Sequence, residues 1–312
     1  MKANIHYLFI LCLLILGSCK NGNASSQSKN EVPQDTIKAI KMPAIPQMMT
    51  APEQRADFLA KHYWDNVNFA DTNYIHHPEV TEQAWADYCD LLNHVSLETA
   101  QQAVRNVIDR TNVDKKVFTY ITDLADKYLY DPNSPMRNEE FYIPVLEAMI
   151  ASPVLDETEK IRPQARLKLA QKNRIGTKAL NFTYTLASGA QGSLYQLKAE
   201  YLLLFINNPG CQACTETIEG LKNAPVINQL LQEKKLVLLS IYPDEELDEW
   251  KKHLSEFPNE WINGYDKKFT IKEEQVYDLK AIPTLYLLDK DKAVLLKDAT
   301  APAIEAYLMQ HQ

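Results

Sequence analysis

Two cysteines, Cys211 and Cys214, follow an apolar run and an Asn-Asn-Pro-Gly sequence. The apolar run from Tyr201 to Ile206 predicts a strand, and the residues from Cys211 to about Lys222 are compatible with a helix. The two thiols should therefore lie where a strand turns into a helix. A helix N-terminus presents unpaired N–H groups and the positive end of the helix dipole, which favour a thiolate over a thiol. This position predicts redox chemistry.

The spacing of the two cysteines gives them different roles. Cys211 is the expected nucleophile, which attacks the disulfide of a partner and forms a mixed disulfide. Cys214 follows one helical turn later, so it can attack the mixed disulfide, release the partner and leave an internal Cys211–Cys214 disulfide. We expect this redox-active disulfide to be the protein's own redox group, with no other cofactor, because the sequence carries no flavin, nicotinamide or peroxidase signature.

Two other uses of the cysteine pair fit the sequence less well. A zinc site needs about four ligands, and no second Cys-x-x-Cys and no closely spaced histidine pair lies near this one. We therefore expect no metal. A purely structural disulfide between adjacent helical turns would close a very small loop and constrain little of the unfolded chain. Thiol-disulfide exchange is the favoured interpretation.

The N-terminus has the pattern of an exported protein that carries a lipid. A lysine follows the initiator methionine, an apolar stretch runs from Ile5 to Leu16, and Leu-Gly-Ser precedes Cys19. The stretch is too short to span a bilayer and is typical of a secretory signal. Its end resembles the bacterial lipobox, which implies a signal peptide over 1–18 and a lipid anchor on Cys19. An ordinary signal peptide is the alternative.

The remaining chain divides into three parts. Residues 19–50 are polar and contain prolines, which predicts a flexible tether that lifts the folded part off a membrane. Residues 51–173 show helical periodicity and almost no alternation, which predicts an all-α domain of unknown role. Residues 174–312 alternate strand-like and helix-like segments, which predicts an α/β domain.

Start signals place the helices of the second part. Pro52 opens the first run, and Thr81 and Ser96 are the expected N-caps of the next two. The predicted runs after the first are 81–94, 96–110, 114–130, 138–150 and 156–172. These helical runs contain no group of residues that suggests catalysis. Cys89 lies among aromatic residues and leucines and is interpreted as a buried thiol.

The α/β part should contain a parallel strand pair and a hairpin. The apolar run 236–241 predicts a second buried strand, parallel to the strand before Cys211 because a helix connects them. That helix is expected to continue to about Leu231 with a bend at Pro225. Residues 284–289 and 293–297 predict an antiparallel hairpin, and a terminal helix is expected over 301–309.

Charge and composition exclude one class of partner. The chain has 33 basic and 41 acidic residues, a formal net charge of -8, and no cluster of lysine and arginine. Because binding to nucleic acid depends on neutralising phosphates, we expect no nucleic-acid partner.

The order of these features resembles the thioredoxin fold: Cys-x-x-Cys at a strand-to-helix turn, a βα unit, Ile282-Pro283-Thr284 leading a hairpin, and a last helix. The extra hairpin region over 180–197 is similar to the TlpA/ResA branch, whose members are membrane-tethered thiol-disulfide reductases. The resemblance implies an α/β thioredoxin fold preceded by a mostly α-helical domain. In this family the proline equivalent to Pro283 is cis, and the backbone beside it pairs with the substrate strand, so Pro283 is expected to position the substrate.

The sequence departs from the thioredoxin pattern near the thiols. Gly210 stands where thioredoxins carry tryptophan, and Gln212-Ala213 replaces the usual Gly-Pro. The strand before the motif also lacks the carboxylate that assists deprotonation in thioredoxin. Glu216 and Glu219 follow the motif and are interpreted as a solvated helix face.

The sequence thus favours a lipid-anchored thiol-disulfide oxidoreductase of the cell envelope, with its soluble part in the periplasm or at the cell surface. It would reduce or isomerise disulfides of envelope proteins through Cys211 and Cys214 and take electrons from another protein. The alternative is a non-catalytic binding or scaffold lipoprotein whose helical domain recognises a partner. Under that alternative, loss of either cysteine would be silent.

Overall fold

The computed structural model describes residues 39–311. The predicted signal peptide, Cys19 and the first part of the tether lie outside the described residues. Residues 39–50 contact the helical region, because Asn66 donates a hydrogen bond to the Lys41 carbonyl (2.8 Å) and Ile40 packs against the helical core. Over the described range 39–311, every helix is too short or too polar to cross a membrane.

The first part of the described chain is helical. Proline at the first position begins two helices, and the Ser96 hydroxyl accepts the N–H of Thr99 at the start of a third, as its cap signal predicts. The helices are α1 (Pro52–His62), α2 (Pro78–Leu92), α3 (Leu97–Arg110), α4 (Lys115–Ala125), α5 (Glu139–Ala151) and α6 (Glu157–Ala170). The prediction for Thr81 was wrong: Pro78 begins α2, and Thr81 lies inside it and donates to the Tyr74 carbonyl (2.8 Å).

An aromatic cluster forms the centre of this helical region. Trp64 packs against Trp85 and Tyr88, with ring centroids 6.0 and 5.6 Å apart, and all three rings are at most 3% exposed. Cys89 lies beside them and is buried, as its neighbours in the sequence predict. Burial raises the pKa of the Cys89 thiol to about 12. These side chains therefore form a packed core.

The later part of the described chain forms one mixed sheet. Its strands are β1 (Thr183–Leu186), β2 (Gln191–Ser193), β3 (Tyr201–Ile206), β4 (Leu236–Tyr242), β5 (Ile262–Tyr265), β6 (Thr284–Asp289) and β7 (Val294–Lys297), in the order β2-β1-β5-β4-β3-β6-β7. The central strand β3 is parallel to β4, as predicted, and it is also antiparallel to β6. Ile206 at the end of β3 pairs with Thr284 at the start of β6. The residues after β3 and before β6 therefore meet at one edge of the sheet.

Helices and a loop segment cover the two faces of this sheet. The helices are α7 (Gln212–Lys222), α8 (Pro225–Gln232), α9 (Leu247–His253), α10 (Thr270–Glu273) and α11 (Ala301–Gln310). Side chains alternate along β3: Phe205 packs in a core with residues of α7, α8 and α11, whereas Leu204 packs in a second core with Ile271 and Tyr277. This arrangement confirms the predicted thioredoxin fold preceded by a helical region.

Two details of the α/β part differ from prediction. The expected single helix with a bend is two helices, because Ala224 is extended and Pro225 begins α8. Strand β5 was not predicted, since it is short and contains Gly264. It forms because it pairs with β4 on one side and β1 on the other. A Cβ at Gly264 would lie 2.9 Å from the Tyr184 ring, so the close approach of β1 requires glycine there.

Candidate functional site

Cys211 is the N-cap residue of α7. Its backbone is extended (φ -80°, ψ 116°), and its Sγ accepts the N–H of Cys214 at 3.2 Å. The sulfur thus occupies the place of the side-chain oxygen that usually caps a helix. Gly210 supplies the left-handed conformation (φ 70°) of the preceding turn. The start of α7 therefore directs a backbone N–H at the Cys211 sulfur, and the positive end of the helix dipole lies beside it.

Cys214 has the opposite surroundings. It lies in the first turn of α7 and is 1% exposed, whereas Cys211 is half-buried. Burial is the main cause that raises the pKa of the Cys214 thiol to about 12, and the interaction of its side chain with Cys211 acts in the same direction. Among the cysteines of residues 39–311, Cys211 alone is not buried. This asymmetry favours a first attack by Cys211 and a later attack by Cys214.

The segment before β6 brings a carbonyl group to the same sulfur. The Ile282–Pro283 peptide bond is cis, and the Ile282 carbonyl oxygen lies 3.7 Å from Cys211 Sγ, within reach of a thiol hydrogen bond. The two residues are 71 positions apart in the chain, and the pairing of β3 with β6 brings them together. The structure therefore joins Cys211, Cys214 and Pro283 in one site.

An ionised carboxylate that sequence reasoning missed lies next to the loop of the motif. Asp244 follows β4 and accepts hydrogen bonds from Asn208 Nδ2 (2.6 Å) and Lys272 Nζ (2.8 Å). Burial alone would raise the pKa of Asp244, but the hydrogen bonds from Lys272 and Asn208 outweigh it and lower that pKa. The parallel pairing of β3 and β4 was the signal that could have found it, because both strands end at the same edge. Glu216 is exposed on α7, as interpreted from the sequence.

A groove of about 420 Å³ opens beside Ile282. Residues of the segment 271–282 line it together with Asp244, and Tyr130 and Leu169 from the helical region also line it. Because Ile282 also contacts Cys211, the groove lies next to the dithiol. The helical region thus borders the site, although sequence reasoning gave it no part there.

The arrangement of the two cysteines suits thiol-disulfide chemistry. In the part of the chain that the structure describes, no cluster of three or more histidine, cysteine, aspartate or glutamate side chains has a geometry suited to a metal ion.

Two family models match the sequence. One is a domain of unknown function (DUF5106) and covers residues 18–173. The other is described as thioredoxin-like and covers residues 199–294, which include both thiols and Pro283. Among curated proteins, none matches the sequence.

Solved structures give further similarities. A thioredoxin-like protein from Bacteroides caccae ATCC 43185 is 83% identical, with coverage of 89% of this chain and 100% of that chain and a TM-score of 0.86. The C-terminal domain of an uncharacterized protein from Bacteroides fragilis NCTC 9343 is 69% identical. The match covers 44% of this chain and 98% of that chain, with a TM-score of 0.43. A domain of a possible thiol-disulfide isomerase from Cytophaga hutchinsonii ATCC 33406 is 24% identical. The match covers 45% of this chain and 95% of that chain, with a TM-score of 0.38.

The similarity to the Bacteroides caccae protein extends over that whole chain, and the thioredoxin-like model covers the dithiol. Both findings support a general redox role for the α/β part. The chain belongs to the thioredoxin-like proteins, with a domain of unknown function (DUF5106) preceding its thioredoxin-like domain.

Proposed function

We propose that this protein is a lipid-anchored thiol-disulfide oxidoreductase of the cell envelope. The observation that carries the proposal is the opposite exposure of two thiols at one helix start: Cys211 is reachable, and Cys214 is 1% exposed with a raised pKa. A nucleophile must reach its partner, whereas a resolving thiol needs to react only after the mixed disulfide has formed.

The reaction conserves electrons and protons in two steps. The Cys211 thiolate attacks one sulfur of a partner disulfide, so that bond breaks, a mixed disulfide forms, and the partner's other sulfur leaves as a thiolate and takes up a proton. Cys214 then loses its proton and attacks the Cys211 sulfur, which breaks the mixed disulfide. The partner leaves as a dithiol, and the chain retains a Cys211–Cys214 disulfide. Two electrons pass to the partner. Of its two new protons, one matches the proton that Cys214 loses and the other matches the proton that Cys211 lost to water on ionising. A second dithiol protein must return the electrons.

The segment beside Cys211 suits the positioning of a polypeptide substrate. The Ile282 carbonyl and Pro283 lie next to the attacking sulfur, so a partner strand that pairs with this backbone would present its disulfide to Cys211. We assign the positioning role to Pro283 and its neighbours. The substrates in this proposal are disulfide-containing envelope proteins, and the lipid on Cys19 holds the protein at the membrane where they lie.

The midpoint potential of the Cys211–Cys214 couple tests the proposal. It is measured by thiol trapping of the purified soluble part across glutathione and dithiothreitol series, with Cys211→Ser as the control. A value near about -270 mV supports a reductase, and one near about -120 mV supports an oxidant or isomerase. If the folded protein exchanges with neither buffer, the enzyme proposal fails and the binding or scaffold alternative takes its place.

The two cysteine roles have their own test. Cys214→Ser should leave the mixed disulfide with a protein substrate unresolved, so a covalent complex accumulates on a non-reducing gel. Cys211→Ser should give no such complex, because Cys214 is buried. Equal trapping by both variants would contradict the assigned order of attack.

A further inference from the structure

A buried cluster of charges joins the helical region to the segment that leads into the redox site. Lys280 Nζ lies 2.9 Å from Glu139 Oε1, 3.2 Å from Asp278 Oδ2 and 3.4 Å from Asp298 Oδ2. Lys297 pairs with the other Glu139 oxygen. We call these five side chains, each at most 11% exposed, the junction cluster. Glu139 is its only member from the helical region.

Lys280 keeps its charge although it is buried. Burial by itself would lower the pKa of Lys280, but the carboxylates of Asp298, Glu139 and Asp278 outweigh it and raise that pKa. Buried ion pairs add little net stability, because desolvation costs about as much as the attraction provides, yet removal of one partner is strongly destabilising. What these ion pairs add here is a set of contacts between the helical region and the backbone around Lys280.

The backbone that carries Lys280 leads directly to the thiol. Two residues after Lys280, the Ile282 carbonyl lies 3.7 Å from Cys211 Sγ. The helical region contacts Lys280 a second time, since its Nζ lies 4.9 Å from the centroid of the Tyr130 ring. One end of the segment 274–282, next to the dithiol, is therefore held by side chains of α5 and of the residues after α4.

The connection after α6 holds the other end of this segment. Lys172 Nζ donates to the Gln275 carbonyl at 2.6 Å, and Asn173 Nδ2 donates to the Val276 carbonyl at 2.7 Å. Asn173 is 3% exposed, so water competes little for this bond. The segment 274–282 is thus fastened at both ends by the part of the chain that precedes the sheet.

We propose that Glu139 is a positioning residue for thiol-disulfide exchange, which acts through Lys280 to hold residues 280–282 against Cys211 and so to present the backbone on which a partner polypeptide docks. This inference rests on the proposed function. It gives the helical region a part in the reaction: that region orders the surface beside the nucleophile. A small disulfide, which needs no docking surface, should react with Cys211 independently of Glu139.

The adjacent glutamate provides a matched control. Glu140 is 13% exposed and is bound by Arg174, whose Nε lies 3.0 Å from Oε1, in the connection between α6 and β1. Glu139→Gln and Glu140→Gln each replace one carboxylate by an amide of the same size in the same turn of α5. The first acts on the partner of Lys280, and the second acts on an ion pair outside the segment 274–282.

The experiment uses the reduced soluble part and two oxidants, insulin as a polypeptide disulfide and 5,5′-dithiobis(2-nitrobenzoate) as a small one. For Glu139→Gln we expect kcat/KM with insulin to fall about tenfold, the effect of one lost charged hydrogen bond, and the rate with the small disulfide to stay within about twofold. Glu140→Gln should stay within about twofold with both. Equal losses in the two variants, or no loss in Glu139→Gln, would overturn the proposal.

Two further measurements separate positioning from simple loss of stability. Hydrogen exchange of the amides of residues 279–282 should rise in Glu139→Gln and not in Glu140→Gln. The double variant Glu139→Gln/Lys280→Met should lose no more insulin activity than Lys280→Met alone, whereas additive losses would contradict action through Lys280. If the wild type reduces neither disulfide, the proposed function fails, and hydrogen exchange alone decides whether Glu139 orders the segment.

Discussion

Alkylation at neutral pH should distinguish the three cysteines that the structure describes. The folded, reduced protein is exposed to iodoacetamide at pH 7.5, and each cysteine is followed by peptide mass spectrometry. A thiol with a pKa of about 12, as for Cys89 and Cys214, is ionised to roughly one part in 30,000 at this pH, against roughly one in ten for an ordinary cysteine. Ionisation alone should therefore slow both by roughly 3,000-fold relative to an unperturbed thiol.

The pH dependence has a definite sign. Because the thiolate is the reactive form, the alkylation rates of Cys89 and Cys214 should rise about tenfold per pH unit while pH is below the raised pKa. Cys211, half-buried and hydrogen-bonded to the N–H of Cys214, should react fastest at pH 7.5. In urea all three should react at similar rates. Labelling of native Cys214 within about tenfold of Cys211 at pH 7.5 would refute the assignment of nucleophile and resolving thiol.

Four substitutions, one of them a control, test the packing of the helical and α/β parts, each by urea or guanidinium unfolding. Lys280→Met should lower the free energy of unfolding by about 3–5 kcal/mol, because it leaves buried carboxylates without their cation. The control Arg105→Met removes one member of an exposed pair with Asp109 and should lower it by less than about 1 kcal/mol. Equal losses in the two variants would contradict the described burial of Lys280. Gly264→Ala should cost about 1–3 kcal/mol, because its Cβ would meet the buried ring beside it, and an unchanged midpoint would argue against the pairing of β5 with β1. Trp85→Ala should cost about 3–5 kcal/mol in the aromatic core, where this side chain is 0% exposed.

The helical region illustrates how far local signals reach. The proline at the start of α1 and the Ser96 cap of α3 were both predicted, because a cap satisfies N–H groups only a few residues away. Thr81 has the same residue type as a cap but sits in α2, since Pro78 begins the helix earlier and Thr81 has a partner in Tyr74. Local propensity predicted that α2 exists, but Pro78 and the contact of Thr81 with Tyr74 decided where α2 begins.

The sequence by itself determined the dithiol at a strand-to-helix turn, the parallel strand that follows it, and the place of Pro283 before the hairpin, but it determined neither β5 nor the division between α7 and α8. These follow from neighbours in the chain, whose periodicity and turn residues act over a few positions. Only the tertiary structure decided that the Ile282 carbonyl faces Cys211 and that Glu139 binds Lys280, 141 residues away. In the sequence, glutamates at a helix start look like solvent-exposed residues that complement the helix dipole. Their burial depends on which surfaces pack together, and no local pattern encodes that.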